Sequence, residues 1–161
     1  MKTVNWALPL ATVASYVLLA GIFGRQLVAE AGGALPFDLR PMGYGLAEAQ
    51  AYLAQLTPAG LALYLGPIRL NDTLFPLLLT ATLCLPLRRR SELWFLPALA
   101  YGLFDLAENV AVARLLRAGP EVEAQAVAVA SGFTQAKYAS LALAVCVALF
   151  ALWRAWRKGR G

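Results

Sequence analysis

The chain has 161 residues, of which 60% are apolar and only 14% are charged, whereas a soluble domain has about 25% charged residues. One small core does not bury that much apolar surface, so the composition indicates a membrane protein and argues against a secreted, disordered or nucleic-acid-binding chain. Because the chain has no histidine and no Gly-rich phosphate loop, we expect neither a metal site nor a cofactor.

Four apolar stretches are long enough to cross a bilayer, which takes about 20 residues of helix. They cover about residues 4–23, 67–87, 93–116 and 124–153. We therefore predict an all-α fold, in which a single integral membrane domain is formed by a bundle of four transmembrane helices.

The basic residues predict the orientation of these helices, because cytoplasmic loops are enriched in lysine and arginine. One side of the membrane receives cations that are almost unopposed by acids: Lys2, Arg88, Arg89, Arg90, Arg154, Arg157, Lys158 and Arg160. We therefore expect the bacterial inner membrane as the location, with both termini in the cytoplasm. Contact with anionic lipid then explains the net charge of +5 without a nucleic-acid partner.

The segment between the first and second spans is too long for an ordinary structureless loop. Two prolines are expected to keep residues 35–41 extended. Apolar periodicity predicts a short helix over residues 46–56, and Thr57 and Pro58 supply the N-cap and first turn of another, which the next Gly-Pro pair ends. We therefore predict that residues 46–65 form a short helical cap on the outer face.

The third and fourth spans contain ionisable residues, each of which costs about 2.5–3.5 kcal/mol at the centre of a membrane helix. Asp105, Glu108 and Asn109 share one helical face, because offsets of three and four residues bring side chains together. Lys137 lies at a similar depth on the fourth span. We therefore predict that Lys137 pairs with Asp105, Glu108 or both, at a charged cavity in the outer half of the bundle.

The predicted ligand site combines an acidic and amide face with one counter-charge and a gate. Its candidates are Asp72, Tyr101, Asp105, Glu108, Asn109, Thr134, Lys137 and Tyr138. Asp72 is expected near the mouth of the cavity. The simpler alternative is a buried ion pair that only fixes the register of two helices, but such a pair needs fewer charged groups.

Several short motifs are spread along the chain: Phe37-Asp38, Pro41, Gly43-Tyr44, Asp72, Phe75-Pro76, Phe104-Asp105, Glu108-Asn109 and Lys137. Their combination resembles a pattern of uncharacterised bacterial four-span membrane proteins. The resemblance covers most of the chain and implies the four-span fold but no activity. The architecture is also similar to that of four-helix sterol isomerases and sigma-2-type receptors, which hold buried acids in a lipid-accessible pocket, although their motifs are not matched here.

Three functions fit these observations. The first is a binding or accessory membrane protein whose cavity takes a small amphiphilic or cationic molecule, or a polar residue of a partner helix. The second is an intramembrane enzyme that applies general acid/base catalysis to a lipid-like substrate, with Glu108 or Asp105 as the acid and Lys137 tuning it. The third is a structural subunit of a larger membrane complex.

Overall fold

The computed structural model describes residues 6–88 and 90–158, and these are helical apart from short connections. The helices are α1 (Ala7–Glu30), α2 (Leu46–Gln55), α3 (Pro58–Leu87), α4 (Glu92–Glu121) and α5 (Ala124–Lys158). All of them except α2 are long and apolar enough to cross a membrane. The all-α class is therefore confirmed for the described residues, and the chain fits a multi-pass membrane protein.

Some of the sequence-based expectations fall outside the described residues. They include the first two positions of the predicted first span and the cations Lys2, Arg89 and Arg160, which contribute to the predicted orientation.

The helices continue beyond the predicted spans. Helix α1 runs on to Glu30 through a π-helical segment at Val17–Phe23. Helix α3 begins at Pro58, earlier than the predicted span. The chain kinks at Gly66 (φ −100°, ψ −105°) but is helical on both sides of the kink, so the two parts form one helix. The expectation that the Gly-Pro pair ends a separate helix is therefore corrected. Pro67 has no amide hydrogen for the helical hydrogen bond and its ring crowds the preceding turn, so the pair bends the helix here.

Thr57 and Pro58 start α3 as the sequence predicts. The Thr57 hydroxyl accepts a hydrogen bond of 3.0 Å from the Gly60 amide, and Pro58 occupies the first turn. The same hydroxyl donates to the Glu30 carboxylate, and the Thr57 amide donates to the Glu30 carbonyl at 3.0 Å. Thr57 therefore joins the end of α1 to the start of α3.

Replacing Thr57 with alanine is expected to lower the free energy of unfolding by about 0.5–2 kcal/mol, the usual cost of losing an N-cap side chain. The Thr57→Ser variant retains the hydroxyl and is expected to stay close to the wild type. Chemical unfolding in a mild detergent measures the difference. Equal stability of the alanine and serine variants would contradict the capping role.

Helix α4 is the central helix of the described structure. It packs along α5 and against α3, whereas α1 makes its main contacts with α3. Its C-terminal half belongs to a hydrophobic core to which the segment between α1 and α3 contributes Phe37, Tyr52 and Leu53. That segment is therefore folded against the C-terminal end of α4 and the N-terminal end of α5.

Residues 35–41 are not extended as the two prolines predict. Phe37–Leu39 forms one 3₁₀ turn, and Phe37 is 0% exposed. Burial of the phenylalanine ring against the helices outweighs the local preference of the residue before Pro41, which restricts only Arg40 directly.

Candidate functional site

A buried lysine on α5 meets two acids on α4. The Lys137 ammonium forms an ion pair with Glu108 Oε2, and its nitrogen lies 3.8 Å from Asp105 Oδ1. The exposed fractions are 7% for Lys137, 3% for Asp105 and 0% for Glu108. The two acids share one face of α4 because they are three residues apart. The predicted pairing of Lys137 with both acids is therefore present in the structure.

Glu108 is the more fully engaged of the two acids. Its Oε1 atom accepts a hydrogen bond of 2.5 Å from the Thr134 hydroxyl, while its Oε2 atom is paired with Lys137. Thr134 is completely buried. Both carboxylate oxygens of Glu108 are therefore engaged, one by Thr134 and one by Lys137. Asp105 lies farther from the Lys137 ammonium than Glu108 does.

Asn109 and Asp72 link α4 to α3. The Asn109 side-chain amide donates a hydrogen bond of 2.7 Å to the backbone carbonyl of Asp72. Both residues line a cleft of only about 10 Å³ together with Asp38 and Arg69. Arg69 lies at this cleft, but the ion pairs found among residues 6–88 and 90–158 both belong to Lys137.

A residue from outside the predicted site reaches the buried lysine. The Asp38 carbonyl accepts hydrogen bonds from the Tyr138 hydroxyl at 2.9 Å and from the Lys137 ammonium at 3.4 Å. The Asp38 carboxylate accepts a bond of 2.6 Å from the Tyr64 hydroxyl. Sequence reasoning names Asp38 only in the Phe37-Asp38 motif and does not place it at the ligand site. No sequence pattern signals this contact, because the acceptor is a backbone carbonyl.

An aromatic cluster holds the Asp38 turn in place. The Phe37 ring lies 4.7 Å, centre to centre, from each of the Tyr44 and Tyr52 rings. The Arg40 guanidinium lies 5.3–5.8 Å from the centres of all three rings, a favourable cation–π distance. Burial raises the pKa of Tyr44 and of Tyr52 above its ordinary value, because a buried phenolate loses its hydration.

The turn is also tied directly to α5. The Tyr44 backbone amide donates a hydrogen bond of 2.8 Å to the Ser131 hydroxyl. Ser131 lies on the same helix as Lys137, about two turns nearer its N-terminus. Two points of attachment, at Tyr44 and at Asp38, therefore fix residues 38–44 along α5.

A cavity of about 510 Å³ lies beside the ion pair. Its polar end is formed by Asp38, Asp72, Tyr101, Asp105, Lys137 and Tyr138. The rest of its wall is mainly apolar and comes from α1, α3 and α5. Five of the eight predicted ligand residues thus line this cavity, while Asn109 lines only the small cleft and Glu108 and Thr134 lie behind Lys137.

The cavity wall has more acids than bases. Asp38, Asp72 and Asp105 are the three aspartates of the chain, and all three line the cavity together with the single base Lys137. Since Glu108 already pairs with Lys137, the wall is suited to a cation. Among the described residues, no group of three or more potential ligand side chains is arranged to hold a metal ion.

The two acids proposed for acid/base catalysis differ in their access to the cavity. Asp105 lines the cavity, whereas Glu108 does not. An acid that transfers a proton must lie within hydrogen-bond reach of its substrate. Of the two predicted acids, Asp105 is therefore the one placed to contact a molecule in the cavity.

Comparisons of the chain with protein-family models, with curated proteins and with solved structures found no match. The resemblance to bacterial four-span membrane proteins therefore stays a prediction.

Proposed function

We propose that α1, α3, α4 and α5 cross a bacterial inner membrane as a bundle, with both termini in the cytoplasm. The short helix α2 and the turn around Asp38 then form a cap on the outer face. The distribution of lysine and arginine supports this orientation. The lengths of the four helices support the spanning arrangement, because each exceeds the roughly 20 residues that the hydrocarbon core requires.

In this arrangement the charged site lies in the outer half of the membrane. Glu92 marks the cytoplasmic start of α4, and Asp105 follows at a rise of roughly 20 Å along the helix. The exposed Arg114 lies further out on the same helix, where its charge requires the headgroup region. Measured from Glu92, the hydrocarbon core of about 30 Å has its midpoint at about 15 Å. Asp105 therefore lies on the outer side of the midpoint.

The protein is a binding protein for a small amphiphile that carries a positive charge. The observation that carries this proposal is the cavity of about 510 Å³, which combines an acid-rich end with a mainly apolar wall. A volume of about 300–1,000 Å³ is usual for small-molecule sites, which fix orientation through a few polar groups. The excess of carboxylates over free cations favours an ammonium group and disfavours a phosphate or sulfate.

Replacing Asp105 with asparagine is expected to weaken the binding of an alkylamine by about ten- to a hundredfold, because a hydrogen bond to a charged group contributes about 1.5–3 kcal/mol. The probe is dodecylamine with a terminal trifluoromethyl group. Fluorine NMR in phosphatidylcholine bicelles measures its bound fraction. The matching alcohol and sulfate are expected to bind the wild type more weakly than the amine does.

The matched control for this substitution is Glu121→Gln, which neutralises an exposed acid at the end of α4 and is expected to leave amine binding unchanged. Equal binding of the amine and the alcohol to the wild type would contradict the proposed preference for a cation. Unchanged amine binding by the Asp105→Asn variant would exclude Asp105 as its partner.

A further inference from the structure

The large cavity has an open side between α1 and α5. Val13 and Tyr16 of α1 and Val145 of α5 line the cavity, yet their exposed fractions are 58%, 57% and 37%. Helix α1 packs mainly on α3, so its contacts leave the side toward α5 uncovered. In a membrane these half-exposed apolar side chains face lipid tails. The opening therefore joins the cavity to the hydrocarbon core.

Toward the outer side, the polar end of the cavity is bordered by the turn that contains Pro36, Asp38 and Leu39. Pro36 and Phe37 are fully buried, and the next residue, Asp38, is hydrogen-bonded to Tyr138 and Lys137. Asp38 and Asp72 also line the small cleft of about 10 Å³. A volume of about 10–15 Å³ holds one water molecule, so this cleft does not admit an alkyl chain.

The shape and charge of the cavity also restrict what it can hold. Beyond Lys137 the wall formed by α5 continues through Leu141 to Val145, a distance of roughly 12 Å along the helix. One extended chain fits along such a wall. A phospholipid would bring its phosphate against the aspartates, and like charges repel strongly where water is scarce.

We propose that the cavity takes a single-chain alkylamine from the membrane, sideways through the opening between α1 and α5. This inference rests on the proposed function, because it specifies how the ligand of that same site arrives. The amine reaches Asp105 and Asp72, and its chain lies along α5 with the far end toward the opening. Pro36 and Asp38 border the amine end of the cavity toward the outer side.

The test narrows the opening and measures exchange of the probe. Val13→Trp combined with Val145→Trp places a large ring on each edge. Fluorine NMR of the trifluoromethyl dodecylamine in phosphatidylcholine bicelles gives the rates of exchange between the bilayer and the protein. We expect association and dissociation to slow together by about tenfold, with any change in the dissociation constant smaller than the change in either rate.

The matched control is Leu10→Trp combined with Leu149→Trp. These residues are 65% and 59% exposed on the same two helices and do not line the cavity, so exchange is expected at the wild-type rate. All four side chains are exposed, so we expect both variants to fold with the thermal midpoint of the wild type. If the double variant does not fold, each single tryptophan variant replaces it, with a smaller slowing expected.

The outcomes separate the two proposals. Wild-type exchange rates in a Val13→Trp, Val145→Trp variant that still binds the probe would overturn the lateral route and leave the proposed function intact. Loss of affinity without slower exchange, or loss of all binding, would place the tryptophans within the site and also overturn the route. A wild type that shows no saturable bound signal would contradict the proposed function itself.

Discussion

Replacing Lys137 with methionine is expected to destabilise the protein by about 3–5 kcal/mol, the cost of breaking a buried ion pair by removing one partner. Methionine keeps the length and apolar stem of the side chain, so the change removes mainly the charge. Glu108 is 0% exposed and loses the partner of its Oε2 atom. Asp105 loses the same cation, which lies 3.8 Å from its Oδ1 atom. Unfolding of the purified protein in a mild detergent measures the loss.

A second substitution tests the cause of this loss. Adding Glu108→Gln to Lys137→Met removes the more deeply buried of the two carboxylates that lose their partner. Much of the lost stability is expected to return, because replacing both partners of a buried pair costs far less than removing one. Lys158→Met makes the same change at an exposed lysine and is expected to alter stability by at most about 0.5 kcal/mol. A Lys137→Met variant as stable as Lys158→Met would contradict the buried pairing.

Replacing Phe37 with alanine is expected to cost about 3–5 kcal/mol, as for other fully buried phenylalanines. The ring lies between Tyr44 and Tyr52, 4.7 Å from each centre, and its removal leaves a cavity under the turn. The hydrogen bond from the Tyr44 amide to Ser131 is expected to open more often. Thermal unfolding measures the stability, and hydrogen–deuterium exchange at the Tyr44 amide measures the opening.

The control for this change lies in the same segment. Met42 is 88% exposed, so Met42→Ala is expected to leave both the thermal midpoint and the exchange rate of the Tyr44 amide unchanged. If Phe37→Ala is as stable as Met42→Ala, the aromatic cluster does not hold the turn against α5.

The buried ion pair is predictable from the sequence because its residues lie on one helix and on the next helix of the chain. Asp105 and Glu108 are three residues apart in a mainly apolar helix, so helical geometry places them on one face. Lys137 lies in the next apolar stretch, and a short connection makes the two helices antiparallel neighbours. The high cost of isolated charges in hydrocarbon then leaves few arrangements other than their pairing.

The Asp38 turn is not predictable in the same way, because its contacts join distant parts of the chain. The carbonyl of Asp38 meets Lys137 and Tyr138, which are about 100 positions later in the sequence. A backbone acceptor leaves no trace in a hydrophobic pattern, and the flanking prolines favour an extended segment. The kink at Gly66 is similar, since a Gly-Pro pair either ends or bends a helix and the neighbouring packing decides which.

The sequence predicts a charged cavity, but it does not predict the size of the cavity or its apolar wall. Its volume depends on how far α1 stands from α5, and that separation follows from the packing of α1 against α3. The sequence pattern of α1 predicts an apolar helix but not the distance of that helix from α5. The π-helical segment at Val17–Phe23, which contributes Leu19 and Ala20 to the cavity wall, has no residue signature that separates it from the α-helix around it.

The most direct test of the acid-lined cavity as an amine site is the distance between an amine nitrogen and the Asp105 carboxyl carbon. Solid-state NMR of the protein in lipid bilayers, with ¹³C in the aspartate carboxyls and ¹⁵N in dodecylamine, measures that distance. Because the chain has only the aspartates 38, 72 and 105, the Asp105→Asn variant identifies the signal. We predict a separation on the order of 4 Å, as in an ion pair, which disappears in the variant. Dipolar coupling no stronger in the wild type than in Asp105→Asn, with the amine in the bilayer, would contradict it.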